Sequence, residues 1–277
     1  MPSVFSNIKY FFIGIIMSIC LMLDIPMHAI GRPLDLTGYD LVWSDEFNGS
    51  ALDTTKWSGH NHDMTGALSR AYEAGNGHEA CYYTSDNIKV QNGNLIISIT
   101  HEDGTNPAKP AGWYSASLHT RDSQKFTYGY FECRAKLCKA VAGNCAFWLT
   151  GDEVYAQTGG TEVDIMESMR YGVDHEGSVE NNIHYFDANG HQRLHARWVI
   201  VDGNPYDEFH TYGCKWDSSG YTFYVDGKEC RNTDFGKNNK PEYIVLSNFM
   251  RDFKTQVIDG DSADFVVDYV RVYQAAQ

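Results

Sequence analysis

The chain has 277 residues, with 22 lysines and arginines against 36 aspartates and glutamates, giving a formal net charge of −14. A surface of that sign argues against nucleic acid or an anionic membrane as a partner and is compatible with a neutral polymer. Hydrophobic residues make up 43% of the chain, enough for a packed core, and the length fits one large all-β domain.

The N-terminus carries Lys9 and then the apolar run from Tyr10 to Leu23, followed by a cleavage motif at Met27-His28-Ala29. This pattern reads as a signal peptide over residues 1–29, with residues 30–277 forming a single secreted, extracellular domain. The run is shorter than the roughly 20 residues a membrane span needs; an uncleaved anchor is the competing reading. Removing the segment takes away Lys9 and Asp24, so the net charge is unchanged. Cys81, Cys133, Cys138, Cys145, Cys214 and Cys230 remain. An even count in an exported chain suggests disulfides, with buried free thiols as the alternative.

Beyond the leader the pattern is strand after strand. Asn94 to Glu102, Tyr130 to Leu137, Gly220 to Asp226, Tyr243 to Met250 and Phe265 to Tyr273 are rich in β-branched and aromatic residues and bounded by Gly, Asp and Asn. Asn92-Gly93 and Asp226-Gly227 mark tight hairpin turns. Asp103 to Gly112 and Gly151 to Gly160 read as loops, and no long segment has helical periodicity. Two antiparallel sheets packed as a jelly roll is the architecture this implies.

Glu162-Val163-Asp164-Ile165-Met166-Glu167 is the most informative segment. On a regular strand Glu162 and Asp164 share a face, but Glu167, five positions from Glu162, falls on the other. If Ile165 and Met166 together oppose one partner residue, the resulting β-bulge resets the parity and all three carboxylates point the same way. Three readings are open for such a set: a solvated strand face, a calcium site, or the carboxylate pair that glycosidic bond cleavage requires.

Several segments resemble glycoside hydrolase family 16. They are Trp43 to Gly49 with Leu52-Asp53 and Lys56-Trp57, Tyr128 to Glu132, Ala146 to Leu149, and Asp268 to Tyr273, in the expected order across residues 40 to 274. The acidic segment resembles the bulged form of the family signature, as in laminarinases and agarases. The resemblance implies a concanavalin-like β-sandwich jelly roll of two curved antiparallel sheets with a sugar cleft on the concave face. It also implies an endo-acting, retaining hydrolase of β-linked polysaccharide. By the motif Glu162 is the nucleophile, Glu167 the acid/base, and Asp164 a hydrogen-bond partner of Glu162. Negative charge on one face is expected to raise at least one carboxyl of the set, keeping Glu167 protonated for the first step.

Asn48, Trp113, Trp148 and His184 are the candidate substrate-binding residues; the alternative is a surface loop for Trp113 and a structural role for the others. No cofactor is expected in catalysis. Asp268 resembles a family position that ligates structural calcium. It would share a face with Val266, Val270 and Val272, so that an acid interrupts an apolar row, with a hydrogen-bonded Asp as the competing reading. The expected partner is a polysaccharide, with no nucleic acid, no membrane after cleavage, and a monomeric state. β-1,3- or mixed-linkage β-1,3(4)-glucan is the leading substrate. Laminarinase-like members carry Trp-Pro shortly before the catalytic strand, whereas this chain has Ala156 to Thr161 there; agar-type β-galactan is the alternative substrate. A lectin-like protein without activity is the competing class.

Overall fold

The computed structural model describes residue 13 and residues 27–60, 64, 68–75, 77–156, 158–169, 171–173, 175–190, 192–251 and 255–276. Apart from residues 13 and 27–29, the segment expected to be a signal peptide lies outside them. The main strands are β1 (Tyr39–Asp45), β2 (Ile88–Gln91), β3 (Asn94–Glu102), β4 (Gly112–His119), β5 (Gly129–Lys136), β6 (Gly143–Thr150) and β7 (Gly160–Ser168). They continue with β8 (Ser178–Phe186), β9 (Gln192–Ile200), β10 (His210–Asp217), β11 (Gly220–Val225), β12 (Lys228–Thr233), β13 (Tyr243–Met250) and β14 (Ala263–Ala275).

Two antiparallel sheets form a jelly-roll sandwich. The first runs β9, β8, β7, β6, β13, β4. The second runs β12, β11, β10, β5, β14, with β1 and β3 side by side on the far edge of β14 and β2 outside β3. Alternation puts Phe147, Leu149, Val163, Ile183 and Leu246 of the first sheet against Phe131, Trp216, Phe223, Phe265 and Val272 of the second, all fully buried. The opposite, concave face of the first sheet is left for polar side chains.

Local chemistry explains the connections. Asn92 and Gly93 have φ of 53° and 74°, and Asp226 and Gly227 have 49° and 68°. Both residues of each pair are left-handed, the geometry whose twist suits a two-residue hairpin and which Asn, Asp and Gly tolerate. The stretch 151–160, read as a loop, contains a single helical turn, α1 (Asp152–Tyr155).

Three expectations need correction or qualification. The cysteines that remain after residue 29 are free and buried, all facing the interior, so the even count reflects core packing and no pairing occurs. Burial pushes Cys81, Cys145 and Cys230 up to about 12. Asp268 does not share a face with Val270 and Val272. The ladder between β14 and β5 shifts between Val267 and Tyr269, so the buried row is Ala263, Phe265, Val267, Val270 and Val272, and Asp268 turns out to pair with Arg134. Finally, Met27–His28 adds a short parallel strand to β9 and Ala29 is buried.

Candidate active site

The bulge expected in β7 is present. Against β8, Asp164 pairs with Asn182 and Glu167 with Glu180, leaving Ile165 and Met166 opposite Asn181 alone. Against β6, Asp164 pairs with Trp148 and Met166 with Phe147, so Ile165 is the extra residue on that side too. Two consecutive apolar side chains, Ile165 and Met166, thus enter the core at 1% and 0% exposure. Glu162, Asp164 and Glu167 all emerge on the concave face.

Strand β8 mirrors this row. Its His184, Asn182 and Glu180 stand opposite Glu162, Asp164 and Glu167. Cross-strand neighbours on one face lie within side-chain reach, so each acid has a built partner. His184 Nε2 lies 3.2 Å from Asp164 Oδ2 and 3.7 Å from Glu162 Oε1. Gln192 Nε2 lies 2.6 Å from His184 Nδ1, a contact that holds the ring with Nε2 toward the carboxylates. Glu167 is held by two amides: Asn144 Nδ2 donates to Oε1 at 2.7 Å and Asn182 Nδ2 to Oε2 at 2.6 Å. Asn182 also reaches Glu180 at 3.5 Å, bridging two facing carboxyls.

Burial sets the protonation of this row. It pushes Glu162 up to about 8, with the charge of Asp164 adding to it and His184 opposing. The Glu162 side chain keeps 24% of its exposure, so this value belongs to an open cleft before sugar fills it. Asp164 is raised well above the carboxylate range, first by burial and then by Glu167 and Glu180. The sequence places the held proton on Glu167, whereas the carboxyls the structure raises are Glu162 and Asp164, with burial the larger cause.

Ligating atoms of Glu162, Asp164 and His184 converge within 4.8 Å, a spacing that a cation could use. The surround of Asp268 does not fit calcium, because the Arg134 guanidinium already supplies the positive charge that carboxylate needs.

Trp148 sits beside the row, opposite Asp164. Its Nε1 donates to Ser247 Oγ at 3.2 Å, and its ring meets His60 edge-on at 5.3 Å. His184 and Trp148 are thus brought to the carboxylates. Trp113 is in β4, buried rather than in a surface loop. It donates to Gln256 Oε1 at 3.1 Å and lines a cavity of about 670 Å³ with Glu79, His101, Gln256 and Asp261. Asn48 lies apart, in the exposed loop after β1 with its Oδ1 toward the Asn92-Gly93 turn of the second sheet.

Sequence reasoning missed Asn144, Glu180, Asn182 and Gln192. The alternation Glu180-x-Asn182-x-His184 was the available signal, since it places three polar side chains on one face of the next strand.

The family model for the GH16 domain of β-porphyranases A–D matches residues 41–275. The chain belongs to glycoside hydrolase family 16. Within this family it is 29% identical to glucan endo-1,3-β-glucosidase A1 of Niallia circulans over 89% of its own length, and spans only 40% of that relative. It is 27% identical to β-porphyranase E of Zobellia galactanivorans, covering 83% of this chain and 85% of the relative. Among solved family 16 structures, the non-specific endo-β-1,3(4)-glucanase SCLam superimposes with a TM-score of 0.68 at 27% identity, covering 88% of this chain and 94% of that one.

Proposed function

We propose that this protein is a secreted, endo-acting, retaining glycoside hydrolase of β-linked polysaccharide, acting as a monomer. The observation that carries the reading is the bulge at Ile165, which turns Glu162, Asp164 and Glu167 onto one open face. A lectin has no use for that row of crowded, costly carboxyls. In a retaining reaction one carboxylate attacks the anomeric carbon while another carboxyl protonates the leaving oxygen and later activates water. Glu162 is the attacking group and Glu167 the acid/base, oriented by Asn144 and Asn182. Asp164, the more buried neighbour, shares a proton with Glu162, which attacks in its ionised form; His184 lies against both. The groups exchange protons as one set.

The concave face offers Trp148 for a sugar ring, with the Trp113 cavity further along β4. A β-1,3- or β-1,3(4)-glucan is the leading substrate, supported by the glucanase relatives. A second reading, an agar-type β-galactan, draws support from the porphyranase family model and from the stretch Ala156 to Thr161, which lacks the Trp-Pro platform of laminarinases. Release of reducing ends from laminarin, lichenan, agarose and porphyran decides between them. Release from a galactan alone overturns the glucan reading, and release from none overturns the enzyme.

A further inference from the structure

The bulge leaves the Ile165 carbonyl without a ladder partner in a fully buried place. Asn181, the one residue opposite Ile165 and Met166, fills that need: its Nδ2 donates to Ile165 O at 2.6 Å. An asparagine at 1% exposure is expensive unless its other groups are also engaged. They are, and from the opposite sheet. Cys230 Sγ–H donates to Asn181 Oδ1 at 3.5 Å, and Arg231 Nη1 donates to the Asn181 carbonyl.

Those two donors are consecutive in sequence, and on a regular strand they would face opposite ways. The ladder between β11 and β12 shifts so that Phe223 pairs with Arg231 and Tyr224 with Glu229. Cys230 is therefore itself a bulge, and both Cys230 and Arg231 turn inward, at 4% and 1% exposure. Two bulges, one in each sheet, meet at Asn181. Arg231 spends a buried cation on backbone carbonyls, those of Asn181 and His195, and burial pulls it down to about 10. A fully buried arginine bonded to carbonyls is a costly way to fill space and an effective way to fix a strand.

We infer that Asn181 is a positioning residue that sets the aim of Glu167, with Arg231 and Cys230 holding Asn181 from the opposite sheet. The inference rests on Glu162 and Glu167 being the catalytic pair. Without the Asn181 amide, Ile165 O seeks another donor, the bulge slips, and Glu167 leaves its place between Asn144 and Asn182. Proton donation suffers first, because it matters most when the leaving group is poor.

The test compares wild type with Asn181→Leu, of similar volume and without a donor. The substrates are laminarin, which needs protonation of its leaving oxygen, and 2,4-dinitrophenyl β-laminaribioside, which does not; agarose and the matching β-neoagarobioside replace them if the enzyme takes galactan. The expected result is a fall in kcat on the polymer of about 100-fold, with less than about 10-fold on the aryl glycoside and KM within about threefold. A structural role alone would lower both rates by one common factor, and that result overturns the inference. If Asn181→Leu does not fold, Arg231→Met is read in the same way. A crystal structure of whichever variant folds separates the two hypotheses. An unmoved Ile165 bulge defeats this inference, whereas full activity of Glu162→Gln or Glu167→Gln defeats the catalytic reading beneath it.

Discussion

Asn182 donates an amide hydrogen to Glu167 Oε2 at 2.6 Å, and does so from the strand position opposite Asp164. The diagonal contact exists only because the bulge displaces Glu167 by one residue. Without the bulge the carboxyl would face the core, and Asn182 would have no acid to meet.

Asn182→Ala is therefore expected to lower kcat on the polymer by about 10- to 100-fold while KM stays within about threefold, because the amide orients a group already in place. Steady-state kinetics checks this. An unchanged kcat means that Asn144 alone fixes Glu167.

The raised carboxyls give a pH signature. Free carboxyls titrate near pH 4, whereas burial, then Asp164, carries Glu162 up to about 8. Between about pH 4 and 8 the folded state thus holds a proton that the unfolded chain has lost, and the stability tied to Glu162 falls as pH rises. Glu162→Gln is neutral throughout, so its Tm should exceed that of wild type by a margin that widens from pH 5 to pH 8. A constant or shrinking margin contradicts the assignment. Asp164→Asn removes the neighbouring charge and should move the acid limb of kcat/KM to lower pH.

The free cysteines predict a labelling pattern. Burial raises the thiols and shields them, so a maleimide should modify none of Cys81, Cys133, Cys138, Cys145, Cys214 and Cys230 in the native protein. Without any reductant, all of them should react after unfolding. Residues that stay unreactive in denaturant would be disulfide-bonded.

Asp268 offers a metal test. With Arg134 on its carboxylate, calcium has to displace a guanidinium, and EDTA should leave Tm unchanged. A Tm that drops with EDTA and returns with calcium shows that the ion, not Arg134, compensates Asp268.

The sequence reading succeeded where one local rule decided the outcome. β-Branched and aromatic content bounded by turn residues located Asn94–Glu102 and Tyr243–Met250 to the residue, and the parity of Glu162, Asp164 and Glu167 demanded the bulge that Ile165 makes. The same device defeated the reading of Asp268, because nothing in the run from Val266 to Val272 signals that the strand gains a residue there. Asn144 and Gln192 were out of reach for another reason: their roles depend on pairing between strands, which no single strand encodes. The cysteine count misled because parity says nothing about which way side chains face.

The most direct test is to trap the covalent intermediate. A 2-deoxy-2-fluoro glycoside of the sugar the enzyme cleaves, with an activated leaving group, should inactivate it with one-to-one stoichiometry, and peptide mass spectrometry should place the label on Glu162. A label on Asp164 or Glu167 would contradict the account. So would the absence of any adduct together with an α-configured first product in early proton NMR spectra.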